Sequence, residues 1–243
     1  MARLKEPSFF SQDANWARGI KWYANLFGGC PRGVQCGEAS NSYSATDTYP
    51  DTVERIATTV PDVKIVYIVR HPVARTESDW MEAYRFNGVS FSDYLANDTI
   101  HRDKNNYIKH YWKYREQFGH GNVLVLTYEE MVVSPDEVIS RCCEFLGVRY
   151  IHGLASNKLG RPSGKAVALP APVRRLKNSR IYVDFSHWIP KWLKKVFIAN
   201  MTEVEIPRPK WQPHEYHRFR NDFETQSRRL LVELGKSTEL WKW

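Results

Sequence analysis

Lys64-Ile65-Val66-Tyr67-Ile68-Val69-Arg70-His71-Pro72-Val73-Ala74-Arg75-Thr76-Glu77-Ser78-Asp79-Trp80 is the stretch on which the fold turns. Its first six residues are a continuous apolar, β-branched run, which predicts a strand buried on both faces, as in a parallel sheet. Pro72 suits the first turn of a helix, where its missing N–H would have had no partner. That helix is predicted to run to about Arg85. A strand passing straight into a helix puts Arg70 at the strand's carboxyl end, the edge where ligands gather in open α/β sheets. The helix start adds unpaired N–H groups and the positive end of a dipole. Arg75 and Ser78 are three residues apart, on one helix face. Two guanidinium groups and a hydroxyl at such a place form a phosphate clamp. Surface arginines on a solvated helix are the plainer alternative.

Outward from this stretch the pattern repeats. Residues 122–128 read as a second buried strand, and Pro135 opens a helix that ends at Gly147. Upstream, residues 15–27 read as a helix, 28–50 as a Gly/Ser/Asn-rich loop, and 51–59 as a short helix with Asp51 as N-cap and Glu54 three positions on. Helices are also predicted over 90–97 and 105–118. From 148 to 180 the chain is basic and loop-like. Residues 187–201 form a basic aromatic helix candidate, and a last helix covers about 215–235 after Pro207, Pro209 and Pro213. Strands alternating with helices predict an α/β fold with a parallel sheet. We read one domain over 1–243, with a core over 1–150 and a basic loop and helical part over 151–243.

The bulk composition bounds the function. Of 243 residues 42% are hydrophobic, which is enough for a core, and the formal net charge is +8, which draws anionic partners without choosing among them. A nucleic-acid binder ranks last, because no reading helix or aromatic RNA-binding signature accompanies the charge. No run reaches the roughly 18 apolar residues needed to cross a bilayer, and the first residues carry no apolar leader, so a cytoplasmic chain is expected. Membrane contact through Trp188–Phe197 is the weaker reading of that segment; packing of its aromatic side on the core is the stronger. Cys30, Cys36, Cys142 and Cys143 match no zinc spacing. Free thiols are expected at Cys30 and Cys36, a disulfide being the alternative. Cys142 and Cys143 read as a small buried residue and its neighbour. His214 and His217 have no second ligand cluster and are not a metal pair.

Several segments together carry a family likeness. Arg70-His71-Pro72-Val73-Ala74-Arg75-Thr76-Glu77-Ser78 resembles the 3′-phosphate motif of sulfotransferases that use 3′-phosphoadenosine-5′-phosphosulfate (PAPS). Lys5-Glu6-Pro7-Ser8-Phe9-Phe10 resembles the Lys-Glu-x-x-Phe-Phe element of the bacterial and heparan-type branch. Gly37-Glu38-Ala39-Ser40-Asn41-Ser42-Tyr43 resembles that branch's Gly-Glu-Lys-Ser/Thr-Pro-x-Tyr loop, and residues 123–147 resemble its strand, Tyr-Glu-(Asp/Glu) and Cys-x-Phe-Leu-Gly stretch. Each piece is short; their shared order is what makes the likeness specific.

The resemblance implies a P-loop-NTPase-like parallel-sheet fold with helices on both faces. It implies PAPS as sulfuryl donor and a hydroxyl or amine of a carbohydrate or small molecule as acceptor. It assigns Glu6 as catalytic base, with Arg70 and Ser78 on the 3′-phosphate of PAPS. Arg75 belongs to the pattern, either touching ligand or bracing the turn, and His71 reads as a bystander. Lys158 and Arg161, with Lys165, fall where the family closes its cofactor site with a basic loop; solvated loop charges are the alternative.

Two departures stand out. The 243 residues contain no Lys-Gly-Gly-Thr-Thr loop, so the first strand and the 5′-phosphosulfate cradle are expected to be missing. A sheet without that strand is expected to be unstable or a homodimer, and a relative that only binds 3′-phosphoadenosine nucleotide or an anionic glycan is the second reading. Moreover, the family's loop Lys is Ala39 here and its Pro is Asn41. Gly235-Lys236-Ser237-Thr238 and Gly160–Lys165 imitate a Walker motif at the wrong spacing, and we read both as decoys.

Overall fold

The computed structural model describes residues 2–31, 33–153, 167–168, 170–171 and 204–243. Along the chain come α1 (Asp13–Trp16), α2 (Gly19–Asn25), a 3-10 turn at Asn41–Ser44, α3 (Thr52–Thr59), β1 (Ile65–Val69), α4 (Pro72–Asn87) and α5 (Phe91–Asn97). There follow α6 (Thr99–Lys104), α7 (Tyr107–Phe118), β2 (Val123–Thr127), α8 (Tyr128–Val133), α9 (Pro135–Leu146), β3 (Val167–Ala168), β4 (Val204–Glu205) and α10 (Pro213–Glu233). The chain divides into two compact units that interleave in sequence: residues 1–70, 99–157 and 222–243, and residues 71–98 and 158–221.

In the first unit the two apolar runs form the predicted parallel pair, with Ile65 opposite Val123 and Val69 opposite Thr127. Val69, Val123, Val125 and Leu126 are buried, but Ile68 is 52% exposed. The expectation of a strand covered on both faces is therefore corrected at Ile68. The core is largely aromatic. Phe9, Phe10, Tyr107, Tyr111, Tyr114, Phe118 and Trp241 pack with Val53, Ile56, Leu230 and Leu231. Phe9 stacks on Tyr23 with centroids 4.6 Å apart and Phe10 meets Tyr43 at 5.8 Å. Burying each phenylalanine contributes about 1.5–3 kcal/mol, which ties down the otherwise irregular segment that precedes them.

Local chemistry explains where elements begin and stop. The helix predicted over 15–27 is split, because Gly19, the first residue of α2, sits at φ 78°. Asp51 stands at the N-cap of α3 without a capping bond; its carboxylate instead accepts from Arg55, 2.9 Å away. Thr127 and Glu130 form a full capping box at the start of α8. Cys30 and Cys36 are joined as a disulfide, which corrects the expectation of free thiols: the turn from Pro31 to Val34 folds the chain back between them. Cys142 and Cys143 are both half-buried thiols.

In the second unit α4 starts at Pro72 as expected and ends at Gly88, which takes the left-handed φ of 73° that glycine adopts without strain. Trp80 and Phe91 pack edge to face, and Phe91 meets Trp211 in the same way. The Trp80 indole donates to Val89 O at 2.9 Å, and that of Trp211 to Glu77 at 2.9 Å. Two-residue β3 and β4 pair antiparallel. The helix expected over 187–201 and the basic loop carrying Lys158, Arg161 and Lys165 lie outside the described residues.

Candidate active site

Two residues of the segment entering the first core hold left-handed backbone conformations that non-glycine residues rarely adopt: Glu6 at φ 50° and Ser8 at φ 47°. Such positions cost about 1–2 kcal/mol each, and they persist where the surroundings over-determine them. Here the surroundings are a dense set of hydroxyls. Ser8 N–H donates to Ser40 Oγ at 2.9 Å, Ser42 Oγ donates to Ser8 Oγ at 3.0 Å, and Ser11 Oγ lies 2.7 Å from Ser42 Oγ. Phe10 N–H donates to the Tyr43 hydroxyl at 3.4 Å, and the Asn15 amide donates to Pro7 O at 3.0 Å. Buried Phe9 and Phe10 pin one end of the turn, and the Glu6 side chain is left 41% exposed at the other.

The Glu6 carboxylate is lightly held. Asn41 Nδ2 donates to its Oε1 at 3.4 Å, and Lys5 Nζ stands 4.0 Å off. Glu6 and Asn41 are far apart in sequence, and the fold brings them together. Asn41 replaces the proline of the family loop, so one departure from the pattern supplies a donor to the predicted base. A carboxylate with one weak amide partner and open solvent on its other side keeps lone pairs with which to accept a proton.

Behind this turn sits Glu38, half-buried, which the sequence did not single out. Its Oε1 accepts from the Tyr43 hydroxyl at 2.5 Å and its Oε2 from Ser40 Oγ at 2.8 Å. Burial pushes the Glu38 carboxyl upward, and hydrogen bonds from Tyr43, Ser40 and Tyr23 only partly offset that. Burial, and then the Glu38 charge, hold the Tyr23 and Tyr43 phenols well above their ordinary range.

The residues predicted to take phosphate are placed as follows. Arg70 leaves the end of β1 with its guanidinium 4.7 Å from the centre of the Tyr128 ring. In the second unit, His71 is the N-cap of α4: its Nδ1 accepts from Val73 N–H at 3.2 Å. The expected bystander thus orders the helix start. Arg75 pairs with Asp79 one turn on, 3.2 Å away, and is largely withdrawn from solvent. That pairing favours the bracing role over ligand contact. Ser78 is partly buried on the same helix. Within the second unit, the hydroxyl of Ser78 and the N–H groups at the start of the capped 16-residue helix are chemistry that suits a phosphate.

Other constellations carry less. Gly235 ends α10 at φ 65°, with Gly235 N–H on Val232 O at 2.9 Å and Lys236 N–H on Leu231 O at 2.8 Å. This is a Schellman helix stop, and Lys236 pairs with Glu130, so the Walker-like string is a structural C-cap. Thr46, His110 and Asp103 line up like a nucleophile, base and orienter, with Thr46 Oγ1 2.9 Å from His110 Nδ1. Thr46 and His110 are both buried, which suits a core polar network and not a nucleophile. A cavity of about 600 Å³ beside them is lined by Asp47, Thr48, Arg102, Asp103, Asp222 and Phe223. Its acids are already engaged: Asp222 by Arg102 at 2.6 Å, Asp47 by Lys109, Asp103 by Thr48.

Comparison with known proteins bears on these observations. The model of the Sulfotransferase family matches residues 9–152. Heparan sulfate glucosamine 3-O-sulfotransferase 3B1 of Mus musculus is 29% identical over 157 residues, covering 60% of this chain and 39% of that protein. Heparan sulfate glucosamine 3-O-sulfotransferase 6 of Homo sapiens is 28% identical over 156 residues, covering 60% and 44%. The chain thus spans about two fifths of the length of the curated relatives it matches. The crystal structure of a sulfotransferase from Alicyclobacillus acidocaldarius aligns with a TM-score of 0.65 at 22% identity, over 97% of this chain and 85% of that one, a likeness of fold.

Proposed function

The chain belongs to the sulfotransferase family, matched over more than half its length, and from that premise we propose that it moves a sulfuryl group from PAPS to a carbohydrate hydroxyl. A small-molecule hydroxyl or an amine is the wider class. The observation that carries this reading is Glu6: an accessible carboxylate on a strained turn, locked from behind and lightly touched by Asn41. In this role Glu6 takes the acceptor proton as the oxygen becomes a nucleophile, and the Asn41 amide keeps the carboxylate aimed. Arg70 and Ser78 are assigned the 3′-phosphate by their motif, with Arg75 bracing the helix through Asp79. When bound, PAPS would supply the sulfuryl group and its leaving phosphate. A carbohydrate acceptor is supported by the names of the matched relatives, and the net charge of +8 suits an anionic glycan.

The test is transfer of labelled sulfate from PAPS to a panel of heparan-type oligosaccharides and small sugars. Glu6→Gln is expected to lower kcat by about 10²–10⁴-fold, the usual worth of a general base. Binding of adenosine 3′,5′-bisphosphate, measured by calorimetry, should be unchanged in that variant and weakened at least tenfold in Arg70→Ala. Nucleotide binding without transfer to any acceptor would replace this reading with that of a binding-only relative. An Arg70→Ala protein that binds as the parent does would remove the 3′-phosphate assignment.

A further inference from the structure

Both oxygens of Glu38 act on the segment that carries Glu6. The Ser40 hydroxyl that donates to Glu38 Oε2 is the one that accepts the Ser8 N–H, and the Tyr43 hydroxyl that donates to Glu38 Oε1 is the one that accepts the Phe10 N–H. A hydroxyl has one hydrogen, and an ionised carboxylate can only accept. With their hydrogens drawn to Glu38, Ser40 and Tyr43 turn their lone pairs toward the backbone. The carboxylate therefore sets the direction of two hydrogen-bond relays, each ending on an N–H of the Glu6–Phe10 segment. The Ser8 N–H belongs to one of the two left-handed residues, so the relay through Ser40 is also what holds the strained turn.

Resting on the reading of Glu6 as the base, we propose that Glu38 is its positioning residue: through Ser40 and Tyr43 it fixes the left-handed Glu6–Ser8 turn and so aims the Glu6 carboxylate. The half-buried setting of Glu38 agrees with this role, since charge-assisted bonds there are stronger than in water. A half-buried carboxylate whose two oxygens are already engaged by Ser40 and Tyr43 is poorly placed to meet an acceptor itself.

The experiment measures sulfate transfer and amide hydrogen exchange in Glu38→Ala, Glu38→Gln and the double variant Glu6→Gln/Glu38→Ala. Glu38→Ala should lower kcat at least tenfold with the KM for PAPS and the binding of adenosine 3′,5′-bisphosphate unchanged. It should also speed exchange at the Ser8 and Phe10 amides. Glu38→Gln should recover part of kcat, because its Oε1 still accepts from Tyr43 and its amide can donate to Ser40. In the Glu6→Gln background, loss of Glu38 should add nothing to the fall in kcat. Full additivity there would mean that Glu38 acts on the reaction directly or through the fold at large, and would overturn the proposal, as would unchanged exchange at Ser8 and Phe10. Should Glu38→Ala fail to fold, Glu38→Gln carries the same readouts. A parent chain that transfers no sulfate overturns the premise instead, and the exchange data then report separately whether Glu38 holds the turn.

Discussion

Asp103 shows how one side chain can hold two segments that sequence leaves unrelated. Its Oδ2 accepts from Asp47 N–H at 3.0 Å, Thr48 N–H at 2.8 Å and the Thr48 hydroxyl at 3.0 Å, and His110 Nε2 lies 3.3 Å from Oδ1. Burial pushes this carboxyl upward, but His110 and the Thr48 donors outweigh it, and the net displacement is downward. A carboxyl lowered in the folded state contributes stability that is present above the unfolded carboxyl value, about 3.9, and is lost as pH falls through the folded one. Asp103→Asn is therefore expected to cost about 1–3 kcal/mol near neutral pH, with the gap to the parent closing in acid. Denaturant melts at several pH values check this, and a gap that widens below pH 4 would contradict it. The same residue marks the limit of what sequence can say. Arg70, Ser78 and Glu6 could be nominated because family motifs hold them at fixed local spacing. Asp103, Glu38 and Asn41 act across more than thirty positions, or through hydroxyls whose partners only the folded chain selects.

At the scale of elements, local grammar decided most of what could be read. β1, α4, β2 and α9 fell where apolar runs, Pro72, Pro135 and Gly147 put them, because each of those prolines and that glycine permits or forbids a particular backbone angle. The pieces that escaped are the two-residue β3 and β4 and the short helices α6 and α8, too brief to show a period, and the Cys30–Cys36 link, which depends on how a loop closes. Gly147 gives a clean test of the grammar. It ends α9 at φ 71°, Val148 N–H reaching Cys143 O at 2.9 Å and its own N–H reaching Glu144 O at 3.0 Å. A Cβ placed there would meet nothing within 4 Å. Gly147→Ala should therefore cost only the left-handed penalty, about 1–2 kcal/mol, and Gly147→Asn less, since asparagine tolerates that region. Equal stability of the alanine variant and the parent would show that the stop does not depend on the angle.

For the molecule as a whole, the telling feature is how many phenols it keeps from water. Among the described residues, Tyr23, Tyr43 and Tyr114 in the first unit and Tyr94 in the second are held well above their ordinary range. Burial is the main cause in each; Glu38 adds to it for the first three, and Asp79 and Asp98 add to it for Tyr94. A group raised in the folded state binds its proton more tightly there than in the unfolded chain. The stability this confers is fully present below the free phenol value, about 10, and drains away as pH rises beyond it. Raising the pH should thus leave the fold intact to about 10 and then unfold it cooperatively. Phenolate absorbance should climb in two stages: exposed tyrosines first and reversibly, the raised phenols of Tyr23, Tyr43, Tyr94 and Tyr114 only together with the loss of near-ultraviolet dichroism. The rate of the second stage should follow the rate of unfolding, because hydroxide reaches these rings only when the core opens. If all the tyrosines ionised in a single reversible wave around pH 10 with the dichroism preserved, the phenols would have to be reachable from solvent. The aromatic packing that anchors Phe9 and Phe10, and with them the Glu6 turn, would then be looser than the contacts among Phe9, Tyr23 and Tyr43 require.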